Sequence, residues 1–115
     1  MAQERRRHPR TATTFSAELT VGEHRLATRV INLSLGGALL DLGAARPKVA
    51  VGERVAVEIR SRSSNETFAA EGRAVQWSAT RLAEPVVAIQ FDELAGDAAE
   101  ALEELLALAS IERAR

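Results

Sequence analysis

The sequence predicts a mainly β fold: a six-stranded antiparallel barrel followed by one C-terminal α-helix. Three observations carry that expectation. Short segments of alternating apolar and polar residues recur between turn signals from Phe15 to Phe91. The hydrophobic period then changes to a helical one near Asp97. The chain has 115 residues and no cysteine, so it holds one core and builds it without disulfides. Runs of short strands followed by a single helix close most simply as a capped barrel.

Each element has its own warrant. Phe15, Ala17, Leu19 and Val21 alternate with polar residues and predict a half-buried strand. Gly22-Glu23 reads as a two-residue hairpin turn, with a second strand from His24 to about Ile31. Residues 32–37 form a turn cluster before a short buried strand from Ala38 to Leu42. The stretch from Gly43 to Gly52 contains Pro47 and has little periodicity, as in a loop. Val55, Val57 and Ile59 point inward from a strand over Arg54 to Arg60, and residues 61–65 make a polar turn. Thr67 to Trp77 is a longer strand in which Gly72 predicts a bulge or bend. Val86 to Phe91 is the last strand. Leu102, Leu105, Leu106 and Ala109 form a helix stripe, with Asp97 as N-cap and Glu100 as its capping-box partner. The division expected is one domain over residues 1–115, with a flexible arginine-rich arm at 1–12, a barrel at 13–92 and a helix at 96–113.

Composition narrows the function. Fourteen of the fifteen basic residues are arginine, with Lys48 the one lysine; guanidinium forks suit phosphates and guanine edges. Charge is segregated: Arg5, Arg6, Arg7 and Arg10 face only Glu4 at the N-terminus, whereas Asp92, Glu93, Asp97, Glu100, Glu103 and Glu104 run without a base. That pattern excludes a uniformly basic surface for long nucleic acid and fits a small anionic partner. A barrel binding single-stranded nucleic acid would interleave exposed aromatics with basic residues, and aromatics are only 3% of this chain. His8 and His24 are the only histidines, so no metal site is expected. Ser34 lacks a nucleophile-elbow context and a histidine partner, so no catalysis is expected. No signal peptide or membrane-spanning run is present, and a cytoplasmic protein without membrane insertion is the expectation.

Two motifs can carry chemistry. In Arg5-Arg6-Arg7-His8-Pro9-Arg10, Pro9 blocks helix and biases His8 to an extended conformation, leaving the guanidinium groups on an irregular arm. Such an arm can close over a ligand with one fork on phosphate and one plane on a base; it also reads as a solvated basic terminus. In Asn32-Leu33-Ser34-Leu35-Gly36-Gly37, Asn and Ser offer short donors and acceptors, and the glycines permit positive φ and close backbone approach. Its plain alternative is a turn held by its own side chains. His8 and Trp77 are weaker candidates, more simply surface and core respectively.

Arg6-x-x-x-Arg10 followed by Asn32-x-Ser34-x-x-Gly37, 22 residues after Arg10, resembles the PilZ domain family, whose signatures are RxxxR and (D/N)xSxxG in that order. Gly72-Arg73-Ala74-Val75-Gln76-Trp77 and Val87-Ala88-Ile89-Gln90-Phe91 resemble its last two core strands. The resemblance implies a six-stranded barrel that binds the bacterial second messenger cyclic di-GMP, with no other cofactor. Arg6 and Arg10 would engage the phosphates and the guanine face, and Asn32 and Ser34 the guanine edges. Gly36 and Gly37 would let the backbone come close. An arginine just before RxxxR goes with an intercalated ligand pair in this family, and Arg5 holds that place. Two departures are Asn32, where aspartate is commoner, and Ala88, where glycine is frequent. The function implied is a receptor whose ligand orders the arm onto the barrel and alters contacts with an unidentified effector protein or a second copy. The alternative is a ligand-independent interaction module of the same fold, with the helix as its docking element.

Overall fold

The computed structural model describes residues 11–12, 15–43, 49–61, 65–79 and 85–113. Among these residues seven strands and one helix follow in the order β1 (Thr11–Ala12), β2 (Ser16–Val21), β3 (His24–Leu33), β4 (Gly37–Asp41), β5 (Arg54–Arg60), β6 (Thr67–Ala79), β7 (Pro85–Phe91) and α1 (Gly96–Arg113). All pairings are antiparallel, in the order β1-β3-β2-β5-β6-β7-β4, and β4 also pairs with β3. That last pairing closes β3-β2-β5-β6-β7-β4 into a six-stranded barrel, the predicted fold. Closure leaves none of its six strands with an unpaired edge along its whole length.

Alternation decides which side chains fill it. Phe15, Ala17, Leu19 and Val21 are buried, as are Val55, Val57 and Ile59, and Val87, Ile89 and Phe91. Phe68 and Phe91 meet edge to face with centroids 5.2 Å apart. Leu102, Leu105 and Ala109 of α1 join the same core, and the helix lies against β6 and β1. Gly22 carries the β2–β3 hairpin at φ 60°, the left-handed geometry such turns require.

Several elements differ from the sequence reading. Thr11 and Ala12, assigned to the arm, pair as β1 with Leu33 and Asn32 of β3. Two residues carry no period, so nothing in the sequence marks them as a strand. β3 runs two residues past Ile31 because Asn32 and Leu33 have partners on both sides, Ala12 and Thr11 on one and Leu39 and Ala38 on the other. The bulge expected at Gly72 lies at Val75, where the β6–β7 register shifts between Ala74 and Gln76. Gly72 serves close approach instead: a Cβ there would collide with the Gln90 carbonyl oxygen of β7. Asp97 lies inside the first turn of α1 and is not its cap, since the Ala95 carbonyl already accepts from the Ala99 N–H at 2.9 Å. In that place its carboxylate favours the helix dipole.

Two charged contacts make the fold pH-sensitive in opposite senses. Arg54 grips Asp92 with both terminal nitrogens, at 3.1 and 2.7 Å, and reaches Glu71 at 3.2 Å. The hydrogen bonds from Arg54 hold the Asp92 carboxyl below its usual range. That contribution is present above the ordinary aspartate pKa and is lost as pH falls through the lowered one. Glu104 of α1 hydrogen-bonds Glu66, which raises its carboxyl above the ordinary glutamate range. Its contribution is complete at acid pH and is lost as pH rises through the raised value.

The close approach at Gly72 and the carboxyl pair at Glu104 each give an expected outcome. Gly72→Ala should lower stability by about 1–3 kcal/mol, the usual range for overpacking, read as a fall in the urea midpoint. Glu104→Gln should raise the melting temperature at pH 7 and flatten its decline between acid and neutral pH; an unchanged profile would show that the two carboxyls do not couple.

Candidate ligand-binding site

The Asn-x-Ser-x-x-Gly segment sits where β3 turns into β4. β3 alternates Thr28 and Val30 into the core, then places Leu33 there too. Two inward residues three apart are possible because Ile31 is a bulge: Val30 pairs with Leu40 and Asn32 with Leu39, with nothing opposite Ile31. Residues directly opposite share a face, so Asn32 stands on the outer face beside Leu39. Asn32 is half-buried, and its Oδ1 is buried with no hydrogen-bond partner among the described residues. An unpaired buried acceptor of this kind costs about 1–3 kcal/mol.

Ser34 behaves otherwise. Its hydroxyl accepts from the N–H groups of Gly36 and Gly37, each at 3.2 Å, while the Ser34 N–H donates to the Gly37 carbonyl at 2.9 Å. It is buried and locks the turn from within. Phe91 N–H donates to the Gly36 carbonyl at 2.9 Å, tying the turn to β7. Gly37 is not in the left-handed region; a Cβ there would collide with the Ile89 carbonyl oxygen of β7. The glycine is therefore required by the β4–β7 contact before any ligand is considered. At the far end of the hairpin, Asp41 accepts from Arg29 at 2.5 Å and from the Gly43 N–H at 2.8 Å.

Arg5, Arg6, Arg10 and His8 lie outside the described residues. Thr11, joined covalently to Arg10, pairs with Leu33, the residue between Asn32 and Ser34. Trp77 lies in β6 opposite Val87. The Ile31 bulge and the short β1 are the features that sequence reasoning missed; the slip from even to odd in the inward series Thr28, Val30, Leu33 is the signal that marks the bulge.

The sequence matches the PilZ domain family over residues 4–108. The chain belongs to the PilZ domain family. A search of curated proteins finds no match. Among solved structures, this PilZ domain is similar to the PilZ domain with c-di-GMP of YcgR from Escherichia coli, at 19% identity and TM-score 0.80, over 96% of this chain and 95% of that one. It is also similar to the inhibitor of motility MotI/DgrA of Bacillus subtilis, at 18% identity and TM-score 0.79, over 96% of this chain and 53% of that one. MrkH of K. pneumonia, in a c-di-GMP complex, gives 14% identity and TM-score 0.78 over 99% and 57%. The chain thus spans nearly all of the first and little more than half of the other two. At these identities the likeness is one of fold. Among the described residues no helix is long and apolar enough to cross a membrane.

The lock formed by Ser34 gives a direct expectation. Ser34→Ala removes the acceptor for two N–H groups and should lower stability by about 1 kcal/mol. Hydrogen exchange at Gly36 and Gly37 should quicken with it; unchanged protection there would show that the hydroxyl does not hold the turn.

Proposed function

We propose that this PilZ domain is a receptor for cyclic di-GMP, held between the Arg5–Arg10 segment and the β3–β4 turn. The observation that carries the reading is the β1–β3 register. Thr11 opposes Leu33, so Arg10 is one peptide away from the strand position between Asn32 and Ser34. The fully extended chain from Arg6 to Thr11 spans at most about 18 Å, which keeps both arginines of the RxxxR motif within a nucleotide's reach of the turn. Membership of the family supports the ligand class, as do the c-di-GMP complexes among the similar structures.

The residues fit such a ligand. Guanine offers N1–H and N2–H donors on one edge, and the unpartnered Asn32 Oδ1 is an acceptor that a bound base can satisfy. Neutral asparagine gains a hydrogen bond there without holding a buried charge in the free protein. Guanidinium groups from Arg6 and Arg10 neutralise the diester phosphates and stack on the base, with Arg5 available to a second ligand molecule. Ser34 contributes by fixing the turn, a positioning role. Capture of the ligand folds the arginine segment onto the barrel, an order-on-binding switch. β1 follows that segment in the chain and packs against α1, so the helix is the element through which a partner protein senses occupancy. Ile111, 56% exposed on α1, is available to such a partner.

Isothermal titration with cyclic di-GMP tests the reading. The intact chain should bind with micromolar or tighter affinity at near two ligands per chain, and Arg5→Ala should halve that stoichiometry. Arg6→Ala should abolish binding, and Asn32→Leu should abolish it while raising the melting temperature, because the orphaned acceptor is gone. Absence of binding by the intact protein would overturn the receptor reading in favour of a ligand-independent interaction module.

A further inference from the structure

We propose that the outer face of β2, β5 and β6 is a docking surface for an extended, arginine-bearing segment of a partner protein, whose guanidinium group sits between Glu18 and Glu58. In the closed ring of strands β5 stands across the barrel from β4, so this face points away from the β3–β4 turn. Glu18 of β2 and Glu58 of β5 are directly opposite in register. Their chain neighbours Ala17, Leu19, Val57 and Ile59 are buried, so both carboxylates project outward. Like charges facing each other across two strands cost stability, and packing alone gives no reason to keep them there. Arg60 reaches Glu58 at 2.9 Å. Among the described residues no side-chain hydrogen bond or ion pair reaches Glu18. Two carboxylates and one guanidinium leave the pair with a net negative charge, which a cation from outside can neutralise.

The relief of the face suits a chain. On one side of the Glu18–Glu58 pair lies an open hollow of about 480 Å³, floored by Thr20, Ala56 and Ala69 with Glu71 at its edge. On the other lies a hollow of about 250 Å³, lined by Ser16, Ala27 and Arg60. Glu18 and Glu58 line both, so the two carboxylates form the ridge between them. Small residues make the hollows: Ala27 stands opposite Glu18, Ala69 opposite Glu58 and Thr20 opposite Ala56. Outward positions recur about every 7 Å along a strand, the same spacing as alternate side chains of an extended segment laid beside it. Such a segment places one side chain on the ridge and the next on either side in the hollows. The alanine floors accept aliphatic groups, and the ridge accepts a cation. Arginine fits better than lysine, because its planar fork can meet a carboxylate on each side. Glu71 is already held by Arg54 at 3.2 Å, so the unmet demand is concentrated at Glu18. A partner seated here leaves the β3–β4 turn uncovered, and docking and ligand capture occupy separate faces of the barrel.

The blocked peptide acetyl-Leu-Thr-Arg-Thr-Leu-amide, titrated into the isotope-labelled intact chain and followed by amide resonances, tests the surface. The same peptide with glutamate in place of arginine is the control. The arginine peptide should shift the amides of Glu18, Ala56, Glu58 and Ala69 and saturate with roughly millimolar affinity; the glutamate peptide should shift none of them. Glu18→Gln should weaken binding about three- to fivefold and raise the melting temperature, because the repulsion disappears together with the binding charge. Neutralising a carboxylate that stabilises the fold would lower it instead. Glu18→Lys should abolish binding, and Glu103→Gln, at an exposed acid of α1, should leave affinity within about twofold. The proposal is overturned if the arginine peptide does not bind, if its shifts gather on α1, or if Glu18→Lys binds it as the intact chain does. If Glu18→Lys does not fold, Glu18→Gln and the map of shifts decide. Cyclic di-GMP takes no part in these measurements, so their failure leaves the receptor reading to its own titration.

Discussion

Strand β3 is paired along both of its edges, and the rest of the molecule depends on that double pairing. Its first half meets β2, its second half meets β4, and its last two residues also take β1. Without the β3–β4 ladder the barrel would be an open sheet with two exposed edges, prone to pair with other chains. The same ladder contains the Ile31 bulge, so the contact that closes the barrel is also the one that turns Asn32 outward. Closure and presentation of the acceptor cannot be separated in this fold.

The turn that follows is built to be stiff before it meets anything else. The Ser34 hydroxyl takes two backbone N–H groups, and the Gly36 carbonyl is held by β7. Gly37 and Gly72 are glycines because β7 lies too close to β4 and β6 for a Cβ at either place. These contacts have the character of a preorganised scaffold, in which ordering costs are met during folding and not on binding. Asn32 is the exception within it: a buried acceptor without a donor among the described residues, a cost to stability of the kind that functional sites retain.

Much of this was legible beforehand, for a definite reason. Side chains alternate with period two in strands, so Leu19, Val57 and Ile89 announce their burial through their neighbours, and Leu102, Leu105 and Ala109 announce theirs through helical spacing. The motif residues could be named because Arg6, Arg10, Asn32, Ser34 and Gly37 stand at fixed spacings. Their division of labour was harder to read. Ser34 as a turn lock and Gly37 as a packing glycine depend on partners in β7 and in the turn itself, which spacing does not reveal. Gly72 invited a bulge by its residue type, yet the register shift falls at Val75, where two ladders of different phase meet.

The sequence alone determined the strand faces, the hairpin at Gly22, the terminal helix and the candidate arginine, asparagine and glycine positions, because each is set by local chemistry and periodicity. Tertiary structure alone decided that β3 would be paired on both edges and that a two-residue β1 would bring Thr11 opposite Leu33. It also decided that Glu18 would stand opposite Glu58. Those are relations between distant segments: each requires a register across strands, and a register is fixed only when the barrel closes and every buried face must be filled at once.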